Sequence, residues 1–282
     1  MKLINPRVEY WDNKDSINHV ARCARICYKS DNQNNNEELF QRLLNSAHHS
    51  MFRHDTKYYI VPNIKGNISS DLRCLYDVLK QFEANPYIHQ IVTESNIFVS
   101  ANGQFVLNHQ DEFLIESLSE FVVDKETFFS YNETKPIRRF TFCITSQIST
   151  TRELNRVSPN NIAEESTRYC NYSKNKFGNE ISVCKPHWYD DANATLQGIY
   201  SVICKKAENG YFRLLDEGML PQDARGVLPL DTASTVAYTY TIKEWKHIID
   251  LRYRGITGAP HPNAKIVIGK VYKKLTEMGY DV

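Results

Sequence analysis

The sequence predicts a single core domain of mixed α/β (α+β) class. Stretches with apolar residues three and four positions apart, typical of amphipathic helices, alternate along the chain with shorter runs of β-prone residues. Of the 282 residues, 41% are hydrophobic and 24% are charged, which is typical of a folded globular protein. No internal repeat or low-complexity tail divides the chain.

The N-terminal part begins with a predicted helix over 15–29, which Asp15 or Ser16 can cap. The polar run over 30–38 predicts a loop that follows this helix. The pattern then predicts, in order, a short helix over 38–46, a strand over 56–61 that stops at Pro62, and a helix over 70–82.

Two β-prone runs flank Asn102-Gly103, a dipeptide that favours a tight hairpin turn, so the sequence predicts a hairpin there. Residues 63–136 are interpreted as an inserted subregion of the single domain 1–282. The remaining predicted elements are a helix over 112–122, a strand over 138–148, and helices over 192–217, 221–228, 242–253 and 263–278.

Charge and motif content exclude several classes of protein. With 34 basic and 33 acidic residues the formal net charge is +1, which argues against a large nucleic-acid surface. The seven cysteines form no CxxC pair, and no HExxH or Cys/His set indicates a metal site. The N-terminus does not resemble a signal peptide, and no run approaches the length of about 18 apolar residues that a membrane span needs. These features predict a cytoplasmic protein with no membrane span.

Three segments carry the arginines that are candidates for chemistry. Ser166-Thr167-Arg168 places two hydroxyls and a guanidinium within three residues, a set that suits a phosphate group. Arg225 lies in DARGVLPL, and Arg252 follows the apolar residues of IIDLRYRG. Polar loops with paired charges, and arginine side chains that simply reach solvent, are alternative interpretations. The residues alone favour a phosphorylated small molecule without identifying it.

Five segments, in chain order, resemble the flavin-dependent thymidylate synthases, the ThyX family. ARICYKS over 24–30 resembles the end of the family's early helix, and AHHSMFRH over 47–54 is similar to its Gly-His-Glu-Ser/Thr-x-Phe-Glu-His segment. ESTRYCNYS over 165–173 resembles its Ser-x-Arg-Tyr element. DARGVLPL over 223–230 resembles its Ala-Arg-x-x-Leu-Pro run, and LRYRGITGAPHP over 251–262 resembles its Leu-Arg followed by Ala-His-Pro.

The resemblance implies a core with a mixed sheet and long helices, and a homotetramer with active sites between subunits. It implies reductive methylation of dUMP at C5 to dTMP, with FAD as the cofactor and with NADPH and methylenetetrahydrofolate as co-substrates. No enzyme cysteine attacks the pyrimidine in the family's chemistry. The sequence agrees with this, since none of its cysteines lies in a context that predicts a low thiol pKa.

The same resemblance assigns roles to individual residues. Arg252 would be the catalytic residue, lying against the uracil edge and favouring ionisation at N3, and Ser166, Arg168 and Arg225 would hold the dUMP phosphate. The dUMP-binding positions would be Glu153, Arg156, Glu164, Glu165, Ser166, Arg168, Arg225 and Arg252. The FAD-binding positions would be Ser50 of a neighbouring subunit, Arg156, Val157, Ser158, Glu164, Thr241, Lys243 and His247.

One motif departs from the family pattern. The signature Arg-His-Arg-x-x-Ser reads RVSPNN over 156–161, so Val157 and Ser158 stand where the family has histidine and a second arginine. Arg53 also replaces the glutamate of Phe-Glu-His. Two alternatives therefore stay open. One is a related flavoenzyme that methylates or hydroxymethylates another pyrimidine nucleotide, and the other is a non-catalytic nucleotide-binding paralogue.

Overall fold

The computed structural model describes residues 1–28, 35–46, 49–63, 70–158, 162–168, 170–172 and 178–282. Its strands are β1 (Lys2–Ile4), β2 (Arg7–Trp11), β3 (Thr56–Pro62), β4 (Ile88–Val92), β5 (Asn96–Asn102), β6 (Val122–Val123), β7 (Arg139–Gln147), β8 (Ile162–Glu164), β9 (Ser182–Cys184) and β10 (Ala233–Thr241). Its α-helices are α1 (Ser16–Tyr28), α2 (Asn36–Asn45), α3 (Ser70–Gln81), α4 (Gly103–Asn108), α5 (Phe113–Ser119), α6 (Lys125–Phe129), α7 (Ile148–Asn155), α8 (Ala194–Asp216), α9 (Pro221–Ala224), α10 (Ile242–Ile249) and α11 (Pro262–Glu277). Short 3₁₀ turns cover His49–His54, Asn132–Ile137 and Arg225–Val227, and a π-helical turn covers Asp250–Arg254.

The central sheet has the strand order β2-β7-β10-β8 and is antiparallel throughout. β7 lies inside it and is buried along its whole length, and its register with β10 runs from Arg139 opposite Thr241 to Gln147 opposite Ala233. The second four-stranded sheet is antiparallel too, and the parallel pairing in the described chain joins β1 to β9. The mixed α/β class is therefore confirmed, with the two kinds of pairing in different sheets rather than in one mixed sheet.

One face of the central sheet packs against α10 and α11. Side chains alternate along a strand, so Phe140, Phe142 and Ile144 of β7 share this face and form a core with Trp245 and Val267 of the two helices. The indole Nε1 of Trp245 donates a hydrogen bond to the Phe140 carbonyl at 3.1 Å, which ties α10 to β7. This face is apolar because every second residue of the strand and every third or fourth residue of the helices is apolar.

The opposite face of β7 and β10 carries a buried chain of hydroxyls and imidazoles. Thr141 Oγ1 lies 2.7 Å from Thr239 Oγ1, His19 Nε2 lies 3.0 Å from Thr141 Oγ1, and His54 Nδ1 lies 2.7 Å from Thr239 Oγ1. Burial lowers the pKa of His19 to about 4 and the pKa of His54 to about 3. Both imidazoles are therefore neutral near neutral pH.

The second sheet has the strand order β4-β5-β3-β6 and its own hydrophobic core, which includes Tyr59, Leu75, Val99 and Leu118. The helices α3, α4 and α5 lie within the same stretch of chain and pack on this sheet. Strand β3 belongs to this sheet although it precedes residue 63. The interpretation of 63–136 as an insertion stays a prediction.

The hairpin predicted at Asn102-Gly103 is wrong. The two strands are β4 and β5, their turn lies at 93–95, and Gly103 begins α4. Asn102 Oδ1 accepts the Phe105 N–H at 2.8 Å, so the asparagine is a helix N-cap rather than a turn residue. A Cβ at Gly103 would lie 2.9 Å from the Phe52 carbonyl oxygen and 3.0 Å from Asp55 Cβ, so this close approach requires glycine.

Most other predicted elements are confirmed, with ends that differ by a few residues. The helix predicted over 112–122 ends earlier, because Val122–Val123 leaves it to pair with β3. The helix predicted from Pro221 lasts only to Ala224 before the 3₁₀ turn begins. Residue 29 of the first predicted helix and residues 30–34 of the predicted loop lie outside the described residues.

Three further features of the fold concern disulfide bonds, metal sites and membrane-spanning helices. None of the seven cysteines forms a disulfide bond. Within the described residues, no group of three His, Cys, Asp or Glu side chains could hold a metal ion. No helix in that part of the chain has the length and hydrophobicity to cross a membrane.

Candidate functional site

The predicted phosphate-binding residues lie in one region, at the end of α1 and after β8. The Ser166 N–H donates to the Cys27 carbonyl at 3.2 Å, and the Arg168 N–H donates to Ser166 Oγ at 3.3 Å. Arg225 reaches the same loop from the 3₁₀ turn, because its Nη1 donates to Thr167 Oγ1 at 2.8 Å. The structure thus brings the 166–168 segment to Arg225, and both Arg168 and Arg225 are exposed residues.

Arg252 forms a second group with Glu153 of α7. Its Nε lies 3.3 Å from Glu153 Oε1, with 18% of the arginine side chain and 28% of the glutamate side chain exposed. Nε is buried and, among the described residues, has no hydrogen-bond partner, so the pair is an ion pair without an aligned hydrogen bond. The π-helical turn that carries Arg252 ends at Gly255, whose φ of 73° favours glycine.

Glu164 is fixed by three donors from this chain. Its Oε1 accepts from Thr151 Oγ1 at 2.8 Å and from Ser234 Oγ at 3.2 Å, and its Oε2 accepts from Asn155 Nδ2 at 3.1 Å. Thr151 and Asn155 are one helical turn apart on α7, so this face of α7 faces β8 while Glu153 contacts Arg252. The carboxylate of Glu164 is therefore held at a fixed place between α7 and β10.

Glu165 points into the molecule. Its N–H donates to the Thr235 carbonyl at 2.8 Å, and the residue is only 6% exposed. Burial, with the Glu165 carboxylate as the next cause, raises the pKa of Tyr172. In the single chain, Glu165 thus contacts a buried tyrosine.

Five of the eight predicted FAD positions line one open cavity of about 770 Å³, a volume typical of small-molecule sites. The cavity lies between the end of α7, the first turns of α10 and the chain before β4. The five predicted residues are Arg156, Val157, Ser158, Lys243 and His247. The other residues of its wall are residues 83–86, His89, Glu244, Lys246 and Asp250.

The other three predicted FAD positions have different surroundings. Thr241 is the N-cap of α10, and a capping box joins it to Glu244, whose Oε2 lies 2.8 Å from Thr241 Oγ1. Ser50 is exposed in the 3₁₀ turn that follows residues 47–48, which lie outside the described residues. Glu164, as described above, is held by α7 and β10.

The residues that depart from the family signature have structural contacts of their own. Val157 packs against the core between the central sheet and α10. The hydroxyl of Ser158 is hydrogen bonded to the Tyr240 hydroxyl. The rest of the signature, 159–161, and Tyr169 of the Ser-x-Arg-Tyr element lie outside the described residues.

Sequence reasoning missed the part of the cavity wall formed by residues 83–86 and by His89. His89 lies in β4, and its Nε2 is buried 3.7 Å from Glu244 Oε1, too far for a hydrogen bond. Burial lowers the pKa of His89, so the ring is neutral near neutral pH. An isolated histidine in a β-prone run carries no signal that would link it to α10, about 150 residues later.

The cavity has the size and polarity that suit a small polar molecule. A family model for Thy1, the thymidylate synthase complementing protein, matches residues 131–277, more than half of the chain. The chain belongs to this Thy1/ThyX family.

Solved structures to which the chain is similar include two of a UMP/dUMP methylase, PolB, from Streptomyces cacaoi. The structure with bound 5-Br dUMP is 18% identical in sequence and aligns over 98% of this chain and 93% of its own, with a TM-score of 0.42. The structure with bound 5-Br UMP is 17% identical and aligns over 98% of this chain and 91% of its own, also with a TM-score of 0.42. None of the curated proteins matches the chain.

Proposed function

We propose that this chain is a flavin-dependent thymidylate synthase. It would methylate dUMP at C5 to dTMP, with methylenetetrahydrofolate as the carbon donor and NADPH as the reductant through FAD. The observation that carries the proposal is the shared cavity. In a chain of the Thy1 family, it brings Arg156, Val157 and Ser158 together with Lys243 and His247 from a helix more than 80 residues later.

The chemistry of this cavity fits a flavin dinucleotide. Its acidic residues are Glu83, Glu244 and Asp250. Two of them already have partners, since Glu244 caps α10 and Asp250 Oδ1 lies 2.6 Å from Arg254 Nη1. The basic residues Arg156, Lys243 and Lys246 outnumber the remaining acid, Glu83, and a basic surface suits a pyrophosphate. Bound FAD would supply the redox chemistry, passing reducing equivalents from NADPH to the transferred carbon.

Arg252 is the proposed catalytic residue. Nucleophilic attack from C5 of dUMP requires negative charge on the uracil ring, and a guanidinium held beside the ring stabilises that charge best where water is scarce. The Arg252 side chain is only 18% exposed, so its guanidinium would meet a uracil ring where little water competes. Glu153 would hold the guanidinium in place.

The cysteines support a mechanism without a thiol nucleophile. Burial raises the pKa of Cys143 to about 12 and the pKa of Cys184 to about 12. It also raises the pKa of Cys23, Cys27 and Cys204. These five side chains are therefore thiols rather than thiolates at neutral pH, and a thiol is a weak nucleophile.

A homotetramer with active sites between subunits is the proposed assembly. The long helix α8 exposes an apolar stripe, Leu196, Ile199, Val202 and Ile203, each more than half exposed. Exposed apolar residues at helical spacing are typical of an association surface. We expect Val202→Glu to dissociate the tetramer in light scattering. A variant that keeps the wild-type mass would contradict this role for α8.

The test of the proposed function is a reconstituted reaction with dUMP, NADPH, FAD and methylenetetrahydrofolate. We expect NADPH oxidation that depends on dUMP, and a nucleotide product heavier by one CH₂ group in mass spectrometry. Absence of both from flavin-loaded protein would reject the proposal.

The altered signature supports a second candidate, a flavoenzyme that modifies another pyrimidine nucleotide. Val157 and Ser158 are engaged by the core and by Tyr240, so the family's usual contacts at these two positions are replaced. A clear preference for UMP over dUMP, or a product heavier by CH₂O, would favour this candidate.

A further inference from the structure

A buried tyrosine lies behind the hydrogen bonds that hold the Glu164 carboxylate. The direct donors to this carboxylate are Thr151, Asn155 and Ser234. The Tyr238 hydroxyl donates in turn to Asn155 Oδ1 at 3.0 Å, and Tyr238 is only 2% exposed. Tyr238 is therefore connected to Glu164 through one side chain, that of Asn155.

The strand register brings these side chains together. Val236 of β10 pairs with Glu164 of β8, so their two side chains lie on the same face of the sheet. Ser234 and Tyr238 are two residues before and two residues after Val236, and side chains alternate along a strand, so both share that face. Helix α7 meets this face through Thr151 and Asn155, which are one helical turn apart.

The chemistry of the two neighbours decides which way the Asn155 amide points. An ionised carboxylate only accepts hydrogen bonds, so the Asn155 Nδ2 group has to face Glu164, and Oδ1 is left to face Tyr238. Burial raises the pKa of the Tyr238 hydroxyl well above its ordinary value, so this hydroxyl keeps its proton and donates it. The hydroxyl thereby fixes the amide, and the amide fixes Glu164 Oε2.

The network orients the Glu164 carboxylate without using all of its capacity. The three direct donors are neutral groups, two hydroxyls and one amide, so they do not cancel the carboxylate charge. A carboxylate has about four acceptor sites, and Oε1 already accepts two hydrogen bonds, so about one site remains, on Oε2. Glu164 is partly exposed, so it can meet a ligand there.

We infer that Tyr238 is a positioning residue of the nucleotide site and acts through Asn155 on the Glu164 carboxylate. This inference rests on the proposed function, in which Glu164 contacts dUMP. Tyr238 itself is buried and touches no ligand. Its hydroxyl holds the carboxylate in place before the nucleotide binds, so binding does not have to order that side chain.

The test is the dissociation constant of dUMP, measured by isothermal titration calorimetry on FAD-loaded protein without NADPH or methylenetetrahydrofolate. Tyr238→Phe keeps the ring that packs in the core and removes only the hydroxyl. We expect it to weaken dUMP binding about three- to fivefold, within the range for the loss of one neutral hydrogen bond. The matched control is Tyr200→Phe, which removes a hydroxyl that donates to Asp231 at 2.8 Å outside the network, and it should bind dUMP like the wild type.

A double-mutant cycle separates positioning from a general structural effect. If Tyr238 acts through Glu164, Tyr238→Phe should change the dissociation constant less than about 1.5-fold in a Glu164→Ala background, because the group that it positions is gone. A tyrosine that only supports the fold would weaken binding by the same factor in both backgrounds.

A second cycle tests the middle residue of the network. Asn155→Asp has nearly the same size but places an acceptor against the Glu164 carboxylate, so it should weaken dUMP binding more than about tenfold. In a Glu164→Gln background the new carboxylate meets an amide donor again. There, we expect Asn155→Asp to cost less than about twofold relative to Glu164→Gln alone, whereas an unspecific effect of the added charge would persist.

The outcomes separate the inference from the proposed function. Wild-type dUMP affinity in Tyr238→Phe, or equal factors in the two backgrounds of either cycle, would overturn the inference and leave the proposed function standing. A wild-type chain that binds no dUMP would overturn the proposed function and this inference with it.

Discussion

Two buried histidines make the stability of this fold depend on pH. His19 and His54 lie at the ends of the hydroxyl chain through Thr141 and Thr239, and burial lowers their pKa to about 4 and about 3. In the unfolded chain both would titrate with the ordinary value of 6.5. Below that value the unfolded state binds protons that the folded state does not bind. The free energy of unfolding is therefore highest above about pH 6.5 and falls as the pH decreases toward 4.

The size of the effect follows from the two pKa shifts. At about pH 5 the imidazoles are almost fully protonated in the unfolded state and almost fully neutral in the folded state. Each histidine therefore lowers the free energy of unfolding by about 2 kcal/mol relative to its value at about pH 7. Together they remove about 4 kcal/mol, which is a large fraction of the total stability of a typical domain, about 5–15 kcal/mol. Both side chains are almost fully buried, so water screens little of this effect.

The assay is urea unfolding followed by tryptophan fluorescence at several pH values between about 5 and 7. We expect the free energy of unfolding to decrease steeply with falling pH in the wild type. In His54→Gln the slope should be smaller by up to about 1.4 kcal/mol per pH unit. The control is His187→Gln, since His187 is exposed, and this variant should keep the wild-type slope. A His54→Gln slope equal to the wild-type slope would refute the reasoning.

Three further predictions concern single residues. Arg252→Ala should lower kcat about 10²- to 10³-fold in steady-state assays, while the FAD dissociation constant changes less than about twofold. A variant with the wild-type kcat would contradict the catalytic role of Arg252. Arg168→Ala should raise the KM for dUMP at least about tenfold with little change in kcat, because a phosphate contact is made equally in the ground and transition states. A fall in kcat at constant KM would contradict this role for Arg168. Gly103→Ala should lower the free energy of unfolding by about 1–3 kcal/mol, because the added Cβ would collide with Phe52 and Asp55. The control Gly198→Ala, on the open side of α8, should not destabilise the protein. Equal effects of the two variants in urea unfolding would argue against the contact.

The strongly periodic elements were predictable from the sequence. Strand β7 and helices α8, α10 and α11 follow patterns in which each side chain's face is set by local geometry. The Asn102-Gly103 hairpin failed because tertiary contacts decide what that dipeptide does. The asparagine caps α4, and the glycine lets the backbone pass close to Phe52.

The candidate site was predictable only in part. The resemblance named Arg156, Lys243 and His247 as FAD positions, and the structure places all three on one cavity. The part of the cavity wall formed by residues 83–86 and His89 was not predictable, because no pattern in the chain connects His89 to a helix that begins at residue 242. Nor did the sequence reveal that Val157 and Ser158 already have partners in the core, which is a property of packing.

The visible absorption spectrum of the purified protein, after incubation with FAD and removal of free flavin, tests the central claim most directly. The account predicts a retained flavin spectrum whose maximum shifts when dUMP is added, because the nucleotide and the flavin would share one site. A colourless protein, or a bound flavin whose spectrum does not respond to dUMP, would contradict it.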